Sequence, residues 1–405
     1  INQRFLKYGS RAPEGEIFMI RMINAITRNI DEPAEAVDEI LEQLDMESRL
    51  LENSVGILAC ETEYVGSGVI EELCARVPFD VAGITTSGSG ASGVYGPDVL
   101  TLSVLTSDDV RFSTAMSESI SRVNIEKPVR DAFDKCRSKY PGETPSFILA
   151  YPPLIMSMGG NRVFTEIREQ AGDIPLFGSL SCDGTLRFTS CETFWNGHAL
   201  PDAMALIFMY GNVKPRFFVT SIPNASAHSQ YGIITGSESE MVTRVGGMSF
   251  IDYLDTLHLS IQKLDTFYAI PFLVRYTHES PPLARALYHI TPQRHGVFGG
   301  DMPENSLLSV GSLGYDGIME TAEKTLTDLL DGIDGHACAL IVSCVARQLL
   351  LGLNGGDEMK KTADRIGGRV AYQFSYSGGE ICPVRNAEGE LVNNIHNYTF
   401  AACVF

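Results

Sequence analysis

Short apolar runs, continuous and rich in branched residues, recur along the chain and predict buried β-strands. The three clearest are Val55–Ala59, Phe147–Tyr151 and Cys338–Val342. A polar loop with glycine follows each run, and after it comes a stretch with the apolar period of a helix. These stretches are Val69–Val77, Val163–Ala171 and Glu358–Ile366. The pattern predicts a strand–helix unit that occurs three times.

A second strand follows each helix and runs into a turn of small residues, and a further apolar run then closes the unit. The turns are Gly83–Gly88, Gly178–Gly184 and Ser375–Glu380. The closing runs are Leu100–Leu105, Met204–Met209 and Thr399–Phe405. Roughly 30 residues separate the first strand from the turn, which suits strand, helix and strand joined by short loops. A degenerate fourth copy is predicted from Phe267–Val274 to Asp301.

This repetition predicts an α/β protein of two lobes, each a mixed β-sheet covered by helices, related by internal duplication. Packing of sheet against sheet with the helices outside would give a four-layer αββα sandwich. The predicted divisions are an N-terminal extension (1–50), an N-terminal domain (51–220), a connection (221–247) and a C-terminal domain (248–405).

The extension is predicted to contain an amphipathic helix that packs against the first domain. Asp31 as N-cap and Pro33 just inside the helix make a plausible start, because proline fits the first helical turn. The connection 221–247 is rich in Ser, Gly, Thr and Asn and poor in long apolar runs.

The charge balance excludes some classes of partner. The chain of 405 residues has 31 Lys and Arg against 50 Asp and Glu, a net charge of −19. Nucleic acids and anionic membranes are bound by basic surfaces, so we expect neither as a partner. Hydrophobic residues make up 44% of the chain, which is ample for a packed core.

The cysteines and the apolar runs indicate a cytoplasmic protein. None of the nine cysteines forms a C-x-x-C pair, so we expect reduced, buried thiols. The first thirty residues have no apolar core of a signal peptide. The longest uncharged apolar run, Ala337–Ala346, is about half a membrane span. We therefore expect no membrane insertion.

The motifs along the chain resemble those of the FIST-domain family. The C-terminal signature reads Phe374-Ser-Tyr-Ser-Gly-Gly-Glu-Ile-Cys-Pro383, with His396-Asn-Tyr-Thr399 after it. Ser343–Arg347 is similar to the family's Cys-x-x-Arg stretch. Ile174–Gly178, with Asp183 and Thr193–Gly197, resembles its Phe-Gly turn. Val242–Arg244 and Ile251–Tyr253 resemble the start of the C-terminal half.

The resemblance extends from about residue 51 to the end and departs from the family in two places. Thr85–Gly90 lacks the usual acidic residue, and the first fifty residues match poorly. The resemblance implies an intracellular sensory module that binds amino acids or similar small ligands and signals to a partner. Some members instead bind haem and respond to nitric oxide. No haem or other cofactor is expected here, and haem remains the alternative.

The small-residue turns are the main candidate for a ligand site. Turns at the carboxyl ends of buried strands are where open α/β sheets bind ligands. We therefore expect a site where the turns at Gly83, Gly178 and Gly378 approach one another, in the cleft between the lobes. The candidate ligand-binding residues are Thr85, Thr86, Ser87, Gly88, Gly178, Ser181, Asp183, Cys344, Arg347, Ser377, Gly379, Glu380, Asn397 and Thr399.

Arg347 and Glu380 suggest a clamp for a zwitterion. Arg347 follows an uncharged stretch, so its guanidinium would lie beyond the sheet edge and bind a carboxylate. Glu380 would receive an ammonium group, while Asn397 and Thr399 would add neutral hydrogen bonds. Two alternatives remain open: Arg347 and Glu380 pair with each other, or they face solvent separately.

Other chemistry has weaker signals. His396 would be the haem ligand under the haem alternative. Cys344 or Cys182 would be the nucleophile if the chain were an enzyme, although neither has a histidine and an acid at a family-specific spacing. Neither a P-loop nor a dinucleotide fingerprint is present, and no H-x-x-x-H pair supports a helical metal site. An interaction scaffold and a homodimer are further possibilities.

Overall fold

The predicted repeat assembles with the same order of strands and helices three times along the chain. The computed structural model describes residues 20–405 except 159, 186, 224–226, 260, 262–266, 278–281, 332, 334–336 and 387. Residues 1–19 of the predicted extension, including most of the segment searched for a signal peptide, lie outside the described residues.

Units 1 and 2 each begin with an edge strand and a helix that precede the predicted strand–helix–strand. Unit 1 contains β1 (Arg21–Thr27), α1 (Pro33–Leu44), α2 (Met46–Arg49), β2 (Asn53–Cys60), α3 (Val69–Arg76), β3 (Asp80–Thr85), β4 (Ser89–Ala91), β5 (Val94–Gly96) and β6 (Leu100–Ser107). Unit 2 contains β7 (Arg111–Met116), α4 (Glu126–Ser138), β8 (Phe147–Tyr151), α5 (Gly160–Ala171), β9 (Leu176–Ser179), β10 (Thr193–Trp195), β11 (His198–Leu200) and β12 (Ala205–Tyr210).

Unit 3 follows the same order but contains an insertion after its first strand, β13 (Arg216–Thr220). The insertion contains β14 (Ala227–Glu238), β15 (Met241–Val245), β16 (Met248–Ser249), α6 (Phe250–Thr256), β17 (Tyr268–Arg275), β18 (Leu283–Ile290), β19 (Gly296–Phe298) and β20 (Leu307–Gly311). Unit 3 then continues with α7 (Tyr315–Leu330), β21 (Cys338–Cys344), α8 (Val345–Leu351), α9 (Asp357–Ile366), β22 (Ala371–Ser377), β23 (Glu380–Arg385), β24 (Leu391–His396) and β25 (Phe400–Val404).

Each unit forms a six-stranded sheet, and the three sheets have equivalent strand orders. The orders are β1-β6-β2-β3-β10-β11, β7-β12-β8-β9-β23-β24 and β13-β25-β21-β22-β4-β5. The last two strands of each sheet are a hairpin from another unit. Hairpin β10–β11 of unit 2 pairs with β3 of unit 1, and hairpin β23–β24 of unit 3 pairs with β9 of unit 2. Hairpin β4–β5 of unit 1 pairs with β22 of unit 3. No unit therefore completes its own sheet.

The three sheets surround one apolar core. Alternate residues of a strand point to opposite faces, so each sheet has an inner and an outer face. Ile57, Leu149 and Leu340 represent the inner faces, which pack together in this common core. The outer faces are covered by helices: α1 and α3 in unit 1, α4 and α5 in unit 2, and α7 and α9 in unit 3.

Helix α1 illustrates how sequence pattern becomes structure. Its buried residues Ala36, Val37, Ile40 and Leu44 repeat at the helical period and face the sheet of unit 1. The helix begins at Pro33, as predicted, but the N-cap position belongs to Glu32 and not to Asp31. It ends at Asp45, whose φ of 45° is left-handed. The predicted amphipathic helix is thus present.

The inserted sheet replaces the predicted fourth copy of the repeat. β17 and β18 pair directly as antiparallel neighbours, so Phe267–Val274 does not start a unit in which two parallel strands flank a helix. The strand order is β14-β20-β17-β18-β19-β15-β16, and an additional pairing of β14 with β15 closes the sheet on itself. The predicted connection, 221–247, contains β14 and β15 and is therefore part of this sheet.

The predicted fold class, α/β with mixed sheets covered by helices, is confirmed. The sequence predicts two lobes related by duplication. The structure contains three repeated units, and each unit contributes a hairpin to the sheet of another unit. A four-layer αββα sandwich does not describe the three unit sheets, because all three contribute a face to one core.

Candidate functional site

The three small-residue turns meet at the ends of their strands, as the sequence predicts. The backbone hydrogen bonds that join them, each 3.0 Å long, run from Cys182 N to Thr85 O, from Gly378 N to Leu180 O and from Tyr376 N to Gly88 O. We call the three turns, Gly83–Gly88, Gly178–Gly184 and Ser375–Glu380, the turn cluster. Every pair of units is linked through it, so the cluster is a structural junction of the fold.

Two hydroxyl groups of the turn cluster, those of Thr86 and Ser377, are already engaged within the protein. Thr86 Oγ1 lies 2.9 Å from the carbonyl oxygens of Gly88 and Tyr376. Ser377 Oγ donates to Gly379 O at 2.7 Å. All five residues are buried. These hydroxyls therefore stabilise the turns rather than face a ligand cavity.

The other predicted residues of the first two turns are engaged in the same way. Their hydrogen bonds run from Glu192 N to Thr85 Oγ1, from Ser87 Oγ to Gln348 Oε1, from Leu154 N to Ser181 Oγ, from Thr185 N to Asp183 Oδ1 and from Ser190 N to Asp183 Oδ2. At Gly178 a Cβ would lie 1.8 Å from Ala150 O, so this glycine permits the close approach of two strands.

The cavity beside the turn cluster is small. It has a volume of about 20 Å³ and lies between the three sheets, lined among others by Gly178, Ser179 and Ser375. A volume of this size holds about one water molecule and no amino acid. The turns therefore come together as predicted, but they enclose no space for the predicted ligand.

Arg347 lies on α8 and pairs with Glu358 instead of Glu380. Its Nη2 and Nε atoms are 2.7 Å and 3.1 Å from Glu358 Oε1, and both side chains are fully buried. Nη2 also donates to Ile318 O at 2.9 Å, and Nη1 donates to Tyr398 O at 3.3 Å. The alternative of a structural ion pair is thus realised with a different partner, and this guanidinium cannot receive a ligand carboxylate without breaking the pair.

Glu380 is fully buried beside Thr399. Its Oε2 accepts hydrogen bonds from Thr399 Oγ1 at 2.7 Å and Thr399 N at 3.3 Å, whereas Oε1 has no partner among the described residues. Burial raises the pKa of Glu380 to about 8, against the lowering effect of the Thr399 hydrogen bonds. The carboxyl group is therefore mostly neutral at pH 7 and is a poor partner for an ammonium group.

Asn397 and His396 are also engaged within the fold. Asn397 Oδ1 accepts from Ala286 N at 3.2 Å, so it ties unit 3 to the inserted sheet. His396 Nε2 lies 2.9 Å from Cys382 O, and burial lowers the pKa of this ring to about 4. The neutral ring donates from Nε2 to this carbonyl, and the arrangement does not fit a haem ligand.

The cysteines give no support to a nucleophilic site. Burial raises the pKa of the Cys344 thiol well above its ordinary value, and that of Cys182 to about 12. Reactive cysteines need the thiolate form at neutral pH. All nine cysteines lie in the described part of the chain and are unpaired, as predicted.

A larger cleft lies away from the turn cluster, between unit 2 and the inserted sheet. Its volume is about 550 Å³, and it opens to solvent. The starts of α4 and α5 form one side, and Ser239 and Asp301 of the insertion contribute to the other. We call it the arginine cleft, after four of its lining residues: Arg122, Arg130, Arg162 and Arg168.

The guanidinium groups of the arginine cleft have no carboxylate partner among the described residues. Within the described part of the chain, none of the four forms an ion pair or a side-chain hydrogen bond, although Arg168 stacks 5.8 Å from the ring centre of Phe164. Lys127, also in the cleft, pairs with Asp131. The cleft holds five cationic side chains and three carboxylates, an excess of two positive charges in a chain of net charge −19.

A hydrogen-bonded contact closes the inner end of the arginine cleft. Asp301 Oδ1 accepts from Asn161 Nδ2 at 2.5 Å and from Ser239 Oγ at 3.3 Å. Asn161 belongs to α5, whereas the other two residues belong to the insertion. Asp301 O in turn accepts from the hydroxyl group of Tyr276, which is 3.0 Å from Nη2 of the buried Arg285. The cleft is thus connected to the interior of the inserted sheet.

Sequence reasoning missed the arginine cleft, although one signal was present. Helix starts favour Asp and Glu, because the N-terminal end of a helix carries partial positive charge. The start of α5 carries Arg162 and no carboxylate in its first turn, whereas the first turn of α4 contains both Glu126 and Lys127. A cation without an accompanying acid at the start of α5, in an acidic chain, would have indicated an anionic ligand.

The described residues contain neither a candidate metal cluster nor a candidate membrane-spanning helix. No group of three or more His, Cys, Asp and Glu side chains comes together in a way that would hold a metal ion. None of the helices within these residues is both long enough and apolar enough to cross a bilayer.

Comparison with known proteins identifies the family to which the chain belongs. The model of the FIST N domain matches residues 54–248, and the model of the FIST C domain matches residues 252–383. A comparison with curated proteins found no match. FIST domains are sensory domains of signal transduction, so a general sensory role follows for the chain. The two matches divide the inserted sheet, and the arginine cleft draws on both, with Ser239 in the first and Asp301 in the second.

Proposed function

Because the chain belongs to the FIST family, we propose that it is a sensory module that binds a small ligand of the amino-acid class in the arginine cleft. The ligand changes the contact between unit 2 and the inserted sheet, and a signalling protein in trans reads that change. This proposal keeps the predicted ligand class and moves the site from the turn cluster to the arginine cleft.

One observation carries the proposal: four guanidinium groups that have no carboxylate partner among the described residues line an open cleft of about 550 Å³. A protein gains little from concentrating like charges at one place, because they repel each other. Arginine binds carboxylates through two parallel hydrogen bonds, so a carboxylate ligand would offset that repulsion. The volume is also in the usual range of small-molecule sites.

The cleft contains groups for both ends of an amino acid. Arg130 and Arg162 are candidates for the ligand carboxylate. Glu126 and Glu166 are candidates for its ammonium group, and both line the same cleft. Asp301 is less suited to that role because it already accepts two hydrogen bonds.

The position of the cleft suggests how binding becomes a signal. Its walls come from unit 2 and from the insertion, which meet at the hydrogen bond between Asn161 and Asp301. A ligand that bridges both walls binds best when they are close together, so it shifts the balance between closed and open arrangements. A second copy of the chain is one candidate reader, in line with the predicted homodimer, and comparing oligomeric mass with and without ligand tests it.

We place the module in the cytoplasm on the strength of its cysteines. Nine unpaired thiols, eight of them buried, suit a reducing compartment.

The test is a thermal-shift and calorimetric screen of the proteinogenic amino acids. A ligand at a hundred times its dissociation constant adds about 2.7 kcal/mol to the free energy of unfolding. We expect at least one amino acid to bind, and Arg162→Gln to weaken that binding about tenfold or more. Arg244→Gln is the matched control, because Arg244 is exposed on β15 and does not line the cleft.

The proposal fails if no amino acid binds. The site assignment fails if a bound amino acid is held equally well by the Arg162→Gln variant and the control.

A further inference from the structure

The charges of the arginine cleft distinguish between classes of amino acid. Lys127 and Asp301 are already bonded to protein groups. Within the part of the chain that the structure describes, the cleft side chains without such partners are four guanidiniums and the carboxylates of Glu126 and Glu166. A neutral zwitterion leaves the excess of positive charge unchanged. A ligand with one further negative charge reduces it and is attracted by it.

The two helices present their charges in a matching way. Glu126 and Arg130 are four residues apart on α4, and Arg162 and Glu166 are four residues apart on α5. Side chains four residues apart lie on the same face of a helix. Each helix therefore offers such a pair of a guanidinium and a carboxylate to the cleft, α5 adds the guanidinium of Arg168, and α4 packs against α5. A ligand lying across both helices meets a guanidinium on each.

The two glutamates suit one ammonium group between them. Burial raises the pKa of Glu166, and the neighbouring Glu169 and Glu126 raise it further. Two carboxylates that repel each other are stabilised by a cation placed between them. A ligand with two carboxylates and no amino group would leave this repulsion in place.

We propose that the arginine cleft selects an amino acid with an acidic side chain, holding one carboxylate at each helix and the ammonium group between Glu126 and Glu166. This inference rests on the proposed function and names the ligand class of the same site. The selecting feature is the pairing of a guanidinium and a glutamate on each of two adjacent helices.

The test compares four probes by calorimetry at low salt: L-glutamate, L-aspartate, L-glutamine and glutarate. We expect an acidic amino acid to bind at least tenfold more tightly than glutamine, which lacks the second carboxylate, and than glutarate, which lacks the ammonium group. We also expect its affinity to fall as salt is raised, because charges in an open cleft are screened.

Two conservative variants assign the roles. Arg130→Gln should reduce the preference for glutamate over glutamine, and Glu166→Gln should reduce the preference for glutamate over glutarate. Arg244→Gln should change neither. Both cleft side chains reach solvent, so these variants are expected to fold.

The outcomes separate this inference from the proposed function. If glutamine or another neutral amino acid binds in the cleft as tightly as glutamate, the inference is wrong and the proposed function stands. If a neutral amino acid binds and its affinity is unchanged by Arg130→Gln, both the inference and the site assignment are wrong. If no amino acid binds, both proposals are wrong.

Discussion

Unit 2 and unit 3 have the same topology but differ in charge where their second covering helix begins, α5 in unit 2 and α9 in unit 3. In unit 3, α7 has Asp316 in its first turn and α9 has Asp357 and Glu358. In unit 2, Arg162 takes the corresponding place in α5, and no carboxylate accompanies it in that turn. Unit 1 resembles unit 3, with Glu35 in α1 and acidic residues in α3.

The difference distinguishes charged residues that stabilise the fold from charged residues that we assign to ligand binding. Acidic residues at helix starts stabilise a helix by about 0.3–1 kcal/mol each, and cations there have the opposite effect. In unit 3 one of these acids, Glu358, has a second role, because it neutralises the buried Arg347. The four arginines of the arginine cleft have no such structural reason, because none of them pairs with a carboxylate among the described residues. We interpret this as stability given up for ligand binding.

The largest expected effect comes from breaking the structural pair of unit 3. Glu358→Gln leaves the guanidinium of Arg347 buried without a counter-charge, so the free energy of unfolding should fall by about 3–5 kcal/mol. Denaturant unfolding measures this loss. Asp364→Asn, which removes an exposed ion pair with Lys360, is the control and should change stability little. Equal effects of the two variants would contradict the structural role of Glu358.

The second prediction concerns the arginines of unit 2. The double variant Arg130→Gln/Arg162→Gln should lose ligand affinity by about a hundredfold, since each charged hydrogen bond contributes about 1.5–3 kcal/mol. The unliganded protein should be as stable as before or slightly more so, because one of the two cations, Arg162, leaves the first turn of a helix. Unfolding and calorimetry on the same samples check both statements. A marked loss of stability without ligand would mean that the arginines are structural, as in unit 3.

The third prediction sharpens the contrast between the two buried glutamates of unit 3. Burial raises the pKa of Glu380 from 4.5 to about 8, so the folded protein holds a proton that the unfolded chain releases above pH 4.5. The free energy of unfolding therefore falls as pH rises from 4.5 towards 8, by up to about 1.4 kcal/mol per pH unit.

Glu380→Gln should remove this loss, so its stability relative to the unchanged protein should improve between about pH 5 and pH 8. Unfolding at several pH values measures the trend. Glu388→Gln, at an exposed position, is the control and should follow the unchanged protein. A constant difference between Glu380→Gln and the unchanged protein at every pH would contradict the raised pKa.

Most of the fold could be predicted from the sequence, because the strands and helices of each repeat follow from short, continuous sequence patterns. The runs at Val55, Phe147 and Cys338 became β2, β8 and β21, and the helix-period stretches became α3, α5 and α9. The hairpin exchange was beyond sequence reasoning, because nothing in a hairpin such as β10–β11 indicates that its partner is β3 of another unit. Phe267–Val274 was mistaken for a repeat strand because a short apolar run looks the same in either kind of sheet.

The site was predicted less well, for a related reason. The turns do meet, but hydrogen bonds across sequence separations of up to 290 residues use their hydroxyls inside the fold. Arg347 was expected at a strand end with its guanidinium exposed. In the structure α8 begins directly after β21, and the helix carries this side chain towards Glu358, where it is buried. The arginine cleft combines residues of two helices with Asp301 of the insertion, and only the tertiary structure brings them together.

The most direct test of the central claim is hydrogen exchange of the backbone amides with and without a bound amino acid. Our account predicts slower exchange at residues 122–130 and 161–168, which form the arginine cleft, and little change in the turn cluster, which is already hydrogen-bonded. Protection confined to residues 85–88, 179–183 and 377–380 would contradict it and would return the ligand to the turns.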